Sequence, residues 1–202
     1  FMSNNFLDKI YKPNSSISSK ELYKNWAPYY DEELTKNQYV TPFRCAQILS
    51  NFIDNKDIKI LDIGCGTGLS GFALRKLGFN YIDGLDLSDE MLKVAADKNI
   101  YSSLFNLDLN NLSKFEKKYD VIIASGVISP DHANPDTIFN SYSLIKKEGL
   151  MIFSLNDHAL NDTSFFKAIQ LSIKHSDFIL LDQIYGDHIK EIKLKSSIFV
   201  LQ

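Results

Sequence analysis

The sequence predicts an α/β fold, a mostly parallel sheet with helices on both faces. Three observations carry this. From Asp57 onward, short apolar runs alternate strictly with amphipathic segments, the pattern of strand–helix–strand units. The run 58–63 ends in glycines that open a helix. The last two apolar runs, 178–185 and 195–201, have no helical pattern between them, so an antiparallel hairpin is expected at one edge.

Each element has its own signal. The stretch 4–19 is polar and broken by Pro13 and several serines, which marks a loose lead-in. Ser18 and Glu21 form a capping-box pattern that opens a helix through Leu22, Tyr23 and Trp26. Pro28 interrupts it, and a second stretch continues from Tyr30 to Lys36. Thr41 precedes Pro42 as a capping residue, and Phe43, Ala46, Ile48 and Leu49 keep helical spacing to Phe52. The run 58–63 is a buried strand. Leu69, Phe72, Ala73 and Leu77 form one helical face that Gly78 ends. Residues 81–85 make the second strand. Ser88 caps the next helix, with Asp89 and Glu90 where the helix dipole favours acids. Residues 101–107 are a weaker third strand and 119–124 a fourth. A helix starts at Asn134-Pro135-Asp136 and reaches Lys147, a fifth strand covers 149–155, and 163–174 is helical.

Composition narrows the function classes. The chain has 202 residues, 45% hydrophobic and 23% charged, enough for one domain with a core that needs no disulfide staples. No apolar run approaches the ~18 residues of a membrane span, so no membrane association is expected. Cys45 and Cys65 are too few for a disulfide scaffold and suit a reducing compartment, so a cytoplasmic location is expected. The first residues, Phe1 to Asn5, lack a basic and an apolar region, so no secretory signal is expected, and Phe1 ahead of Met2 reads as a cloning remnant. The net charge is −3, which argues against a nucleic-acid partner. The lysine-dense stretch 190–195 is interleaved with Glu191, Ile192 and Leu194 and reads as a solvated strand edge.

The most informative segment is Leu61-Asp62-Ile63-Gly64-Cys65-Gly66-Thr67-Gly68. Glycines let a backbone turn tightly and approach a ligand, and the helix that follows offers free N–H groups. Gly66 to Gly71 also fits the dinucleotide fingerprint G-x-G-x-x-G. That register sets Asp62 and Gly64 inside the strand, and a buried aspartate is costly without partners. Starting instead at Gly64 puts Leu69 where the third glycine belongs. Neither register suits a pyrophosphate. Asp86 ends the second strand, eighteen residues after Gly68, where a carboxylate can accept from both hydroxyls of a ribose. A turn aspartate is the alternative there, as it is for Asp108 after the third strand.

The pattern from Leu61 to Gly68 resembles the first motif of the class I S-adenosylmethionine-dependent methyltransferases. The resemblance runs from Leu22 to the end and is closest to the Williams–Beuren-region methyltransferase-like family. It is carried by Tyr23-x-x-Trp26-Ala27-Pro28-x-Tyr30-Asp31, by the loop, by Gly84-x-Asp86-x-Ser88-x-Glu90-Met91-Leu92, and by Ser125-Gly126-Val127-Ile128-Ser129. The resemblance implies a seven-stranded sheet in the order 3-2-1-4-5-7-6, with residues 1–55 as a helical lid on a cofactor-binding unit at 56–202. Gly64, Cys65, Gly66 and Gly68 would wrap the methionine part of S-adenosylmethionine, and Asp62 would hold the loop and the amino group. Asp86, with Leu87 and Met91 behind it, would take the ribose. Asp108 and the Leu109 N–H would take the adenine, and Ser125 and Gly126 would line the methyl-transfer site. Trp26 and Tyr30 would form the lid, or else an amphipathic helix packed on the core. Arg44 either meets the cofactor carboxylate or is a solvated helix arginine.

Other constellations are set aside. Tyr142 and Lys146 resemble the Tyr-x-x-x-Lys of short-chain dehydrogenases, but too few strands separate them from the glycine loop, and a surface helix is expected. No His-x-x-x-His or Cys-x-x-Cys pair occurs, so no metal site is expected. His132 and His158 follow the fourth and fifth strands, and either is a candidate general base or a solvated loop histidine. The Asn/Asp-Pro-Pro-Tyr segment of amino-directed nucleic-acid methyltransferases is absent after the fourth strand. The expected acceptor is therefore a small molecule, entering between the lid and the loops 125–132 and 156–158. A nicotinamide-dependent oxidoreductase and a cofactor-binding protein without turnover are the alternatives. No catalytic residue and no oligomeric state is assigned.

Overall fold

The computed structural model describes Leu7 and residues 19–116, 118–130 and 132–202. The central strand β1 (Lys59–Ile63) is buried from Ile60 onward. That is why its sequence reads as a continuous apolar run and not as an alternation. It pairs in parallel with β2 (Tyr81–Asp86) and β4 (Tyr119–Ala124). β2 pairs in parallel with β3 (Ser103–Asn106), and β4 with β5 (Ile145–Asn156). β7 (Leu194–Leu201) runs antiparallel between β5 and β6 (Leu180–Ile189). The sheet therefore has seven strands in the order β3-β2-β1-β4-β5-β7-β6, with the expected hairpin at one edge.

Helices cover both faces. α1 (Ser19–Trp26), α2 (Tyr30–Lys36) and α3 (Thr41–Phe52) precede the sheet. α4 (Leu69–Lys76), α5 (Asp89–Asp97), α6 (Asp136–Tyr142), α7 (Asp157–Asn161) and α8 (Thr163–His175) connect the strands. On one face, Leu49 of α3 and Leu74 of α4 pack on Ile60, Ile82, Val121 and Ile152. On the other, Ile138 of α6 and Ile169 of α8 pack on Leu61, Ile122 and Phe153. Phe153 and Phe199, paired across β5 and β7, stack at 4.9 Å. A third cluster joins Leu7, Leu22, Trp26 and Leu34 to Ile189 and Leu194 of the edge hairpin. Trp26 is only 1% exposed, and truncating so buried a tryptophan costs ~3–5 kcal/mol. The first two helices are thus fastened to the far edge of the sheet.

Several elements depart from the sequence reading. The helix starting near Pro135 stops at Tyr142, and 145–147, expected to be helical, begins β5. The cause is a register shift opposite Tyr119–Val121, with Glu148 in the left-handed region at φ 65° and Gly149 packed so closely that a Cβ would lie 2.7 Å from the Asp120 carbonyl. This bulge lets the strand start early. Thr41 does not cap α3: Val40 holds that position without a side-chain bond. The Thr41 hydroxyl instead meets His188 Nδ1 at 2.7 Å. Phe72 is 40% exposed, because Ser70, Gly71, Ala73 and Leu74 form the buried face of α4. β3 is shorter than expected and β6 runs on to Ile189. The stretch 190–193 is the hairpin turn and not a strand edge. A 3-10 helix (Leu109–Lys114) and α7 have no counterpart in the sequence reading. Ser88 caps α5 as expected, accepting from the Met91 N–H. Ser18 of the capping box lies outside the described residues. No helix among the described residues is long and apolar enough to cross a membrane.

Candidate functional site

The glycine loop leaves the carboxyl end of β1 and enters α4, the place where parallel sheets bind ligands. Gly64 sits at φ 62° with Val127 pressed against it, so a Cβ would lie 2.5 Å from Val127 Cγ2. The loop thereby rests on the segment that follows β4. The Cys65 N–H donates to the Leu85 carbonyl at 3.0 Å, and the Gly68 N–H to the Cys65 carbonyl at 2.8 Å. Cys65 itself is buried. The space over Gly66 is open, with no atom within 4 Å of its Cβ position.

Asp86 closes this loop from the end of β2. Its Oδ2 accepts from the Gly66 N–H and its Oδ1 from the Ser88 N–H, both at 2.9 Å. Burial pushes its carboxyl above the usual range, and these amides pull it back. The Leu87 N–H acts on it as well, so of the about four acceptor sites of a carboxylate about one remains for a ligand.

Asp62 lies inside β1 and is 1% exposed. The strand interior thus holds a buried aspartate, whose cost is offset by a partner. Its Oδ2 accepts from the Tyr101 hydroxyl at 2.7 Å, and Oδ1 has no hydrogen-bond partner in the described structure. Burial, offset in part by Tyr101, pushes its carboxyl up to about 7. The Tyr101 ring occupies the space beneath the loop: a Cβ would lie 2.5 Å from Tyr101 Cζ at Gly71 and 3.0 Å from Cδ1 at Gly84. Gly71, which completes the dinucleotide-like pattern, thus makes room for a tyrosine ring.

The helices before the sheet reach the same loop. Asp31 of α2 accepts from Thr67 Oγ1 at 2.5 Å and pairs with Lys98, whose ammonium also donates to the Thr67 carbonyl at 2.6 Å. Lys24 and Glu90 add an ion pair between α1 and α5. Trp26 and Tyr30 pack edge-to-face at 4.5 Å.

Trp26, Tyr30, Tyr39, Gly126 and Ser129 line a small cavity of about 30 Å³ together with His132, Asn156 and His188. It lies between the first helices and the carboxyl ends of β4 and β5. Tyr39 and His188 are missing from the sequence reading. His188 is buried on the edge hairpin, and burial pushes its imidazole down to about 3, so it is neutral. Ser129 Oγ meets His132 Nδ1 at 2.5 Å. Gly126 donates its N–H to Ser154 Oγ at 2.8 Å. Ser125 Oγ is buried with no hydrogen-bond partner in the described structure.

The remaining expected residues divide. Asp108 and Leu109 are half-buried at the start of the 3-10 helix, and Leu87 is exposed beside Asp86. Met91 is 2% exposed, inside α5. Arg44 matches neither expectation: it donates to the carbonyls of Asp187 at 2.6 Å and Ile184 at 3.0 Å, and to Ser196 Oγ at 2.9 Å. It staples α3 to the hairpin. Tyr142 and Lys146 do not share a helix. Tyr142 packs on Phe178, and Lys146, in β5, pairs with Asp120. His158 sits in α7, outside the cavity. A larger cavity of about 320 Å³, between Lys59, Asp83 and Tyr119, opens at the amino ends of the strands, away from the loop. Among the described residues, no cluster of three or more His, Cys, Asp or Glu is placed to hold a metal ion.

The strand order, the glycine loop on β1 and the acid on β2 define the Rossmann-like fold of the class I S-adenosylmethionine-dependent methyltransferases. The chain belongs to that class: the family profile described as "Methyltransferase domain" matches residues 54–193, and S-adenosylmethionine is the cofactor of this family. The chain is 29% identical over 143 residues to methyltransferase-like protein 27 of Homo sapiens, covering 69% of this chain and 58% of that protein. It is 34% identical over 137 residues to the ubiquinone biosynthesis O-methyltransferase of Rickettsia bellii (strain OSU 85-389), covering 66% and 54%. The chain therefore spans a little over half the length of these curated relatives. Magnesium protoporphyrin IX methyltransferase from Synechocystis PCC 6803 with bound SAH has the same fold, at a TM-score of 0.65 and 16% identity over 98% of this chain and 92% of that one. The [4+2]-cyclase SpnF also shares it, at 0.63 and 14% over 79% and 80%.

Proposed function

We propose that this chain transfers a methyl group from S-adenosylmethionine to a small-molecule acceptor. The observation that carries the reading is Asp86, which ends β2 beside the glycine loop and clasps it at Gly66. In this reading its carboxylate accepts from the ribose. The open space over Gly66 leaves room for the methionine chain, and in this reading Asp108 and the Leu109 N–H take the adenine. When bound, the cofactor supplies a methyl on a positively charged sulfur. That charge disappears in the transition state, so the protein mainly aligns the reactants and excludes water. In this reading residues 1–55 form the lid, with Trp26 and Tyr30 shielding the site and Asp31 tying it to Thr67. Gly126 and Ser125 flank the transferred methyl.

A small-molecule acceptor is supported by the net charge of −3 and by the small cavity beside Gly126. Names of relatives agree with it, among them the ubiquinone biosynthesis O-methyltransferases and a malonyl-[acyl-carrier protein] O-methyltransferase of Priestia megaterium. A nicotinamide cofactor is not favoured, since Gly71 serves Tyr101 and not a pyrophosphate. The test is calorimetry with S-adenosylhomocysteine and with NAD, followed by a turnover screen against a small-molecule extract. Binding of S-adenosylhomocysteine alone, with its release from S-adenosylmethionine when extract is added, is expected. Binding without release would leave a cofactor-binding protein. Tight, salt-dependent binding to an oligonucleotide would contradict the acceptor class.

A further inference from the structure

The edge hairpin carries a chain of hydrogen bonds whose direction is fixed at one end. Arg44 Nη1 donates to Ser196 Oγ at 2.9 Å. Ser196 Oγ lies 3.5 Å from Thr41 Oγ1, which lies 2.7 Å from His188 Nδ1. Thr41 and Ser196 are both 0% exposed, so their hydroxyl protons need partners inside the protein. A guanidinium donates and never accepts. Ser196 therefore accepts from Arg44 and turns its own proton toward Thr41, and Thr41 turns its proton toward Nδ1. In the opposite direction Nδ1 would donate to Thr41, and Thr41 to Ser196. Ser196 Oγ would then accept twice, and its own proton would point at no acceptor among the described residues. An unmatched buried donor costs ~1–3 kcal/mol, which favours the first direction.

The imidazole of His188 holds one proton. Burial is the main cause, aided by Arg44 of α3 and His158 of α7 and opposed by Asp157. With Nδ1 accepting, that proton sits on Nε2. Two further contacts fix the ring. The Val40 N–H donates to the His188 carbonyl at 3.0 Å, and the Tyr39 ring packs edge-to-face on the imidazole at 5.0 Å. The ring lines the small cavity, and its Cε1 lies 3.9 Å from the Cβ position of Gly126. Thr41 holds the Nδ1 side, so Nε2 is the nitrogen that remains for the cavity.

We propose that His188 is a specificity-determining residue of the transfer site, a role that rests on the methyltransferase reading above. It presents an uncharged Nε2–H beside Gly126 and selects substrates that offer a lone pair at that point, whichever atom receives the methyl. A carbonyl or an oxyanion accepts this bond. An ammonium has only protons to offer, so donor meets donor and the mismatch discriminates against it. The nitrogen that faces the substrate already carries its proton, so His188 orients the substrate and does not act as a base.

The test is nitrogen-15 NMR of the full chain labelled at histidine, with the His188 ring assigned through bonds from its backbone. Ring couplings distinguish a protonated from a bare nitrogen. In the free chain we expect His188 to show a protonated Nε2 and a bare Nδ1, unchanged from about pH 8 to about pH 5. The cavity is small, so the probes are the smallest that carry each chemistry, formate and methylammonium. Added to the chain saturated with S-adenosylhomocysteine, formate should shift the Nε2 resonance and its proton, and methylammonium should leave both in place. His188→Phe keeps a ring and removes the donor. Formate affinity, read at the Gly126 amide, should then fall at least about tenfold. If that variant does not fold, the titration of the parent chain decides alone. A proton on Nδ1, or a ring that ionises in that range, overturns the donor assignment and the proposal with it. A shift with methylammonium, or none with formate, overturns the role in specificity. Failure of S-adenosylhomocysteine to bind overturns the methyltransferase reading and the substrate role together, whereas the proton position in the free chain is read independently of any ligand.

Discussion

Tyr101 donates its hydroxyl to Asp62 Oδ2 at 2.7 Å from a ring lodged directly under the glycine loop. The pair supports the loop from below. It also keeps an ionisable group in the core whose carboxyl is pushed up to about 7, chiefly by burial.

The first prediction is a pH dependence of stability. Asp62 has its ordinary value of 3.8 in the unfolded chain and about 7 when folded. Between these values the folded state binds more protons, so stability falls as pH rises from about 4 to about 7 and then levels off. Asp62→Asn keeps an acceptor for Tyr101 and does not ionise. Denaturant unfolding should show the variant gaining on the parent across that window. Curves that stay parallel from acid to neutral pH would remove Asp62 from the account.

The second prediction concerns Gly71. Its φ is ordinary, but a Cβ would lie 2.5 Å from Tyr101 Cζ, and the ring is also confined by Gly84. Gly71→Ala should cost ~1–3 kcal/mol through overpacking. In a Tyr101→Ala background the same change should cost close to nothing, and the double-mutant cycle measures the difference. Additive effects would mean that Gly71 is not there for the ring.

Helix α2 yields the third. Asp31 ties α2 to Thr67 and Lys98 through partly exposed groups, so the tie contributes about 1 kcal/mol. Asp31→Ala should speed proteolytic cleavage before residue 31 roughly fivefold without cofactor. Saturating S-adenosylhomocysteine should slow cleavage of the parent. Equal cleavage in all these conditions would rule out a lid held by Asp31.

What could be read before the structure follows from the range of the forces involved. β4 has the expected limits, and Asp86 ends β2, because a buried parallel strand and its polar end leave a local pattern. The bulge at Glu148–Gly149 has no such signature, so the sequence pattern overstates the length of α6. Phe72 fits the helical period yet faces outward, because α4 is short and its glycine and small residues meet the sheet. The cavity was half legible: Gly126, Ser129 and His132 follow β4 directly. Tyr39 and His188 arrive from a loop and an edge hairpin that meet only in the folded chain, through the bond from Val40 N–H to the His188 carbonyl. No spacing announces such a pair. The role of Arg44 is hidden for the same reason, since its partners lie some 140 to 152 positions away.

The central claim is that Asp86 holds the ribose of S-adenosylmethionine, and calorimetric titration of Asp86→Ala with S-adenosylhomocysteine tests it most directly. Losing hydrogen bonds to a charged group costs roughly 2–3 kcal/mol, so affinity should fall about 30- to 150-fold. An affinity unchanged from that of the parent chain would contradict the assignment.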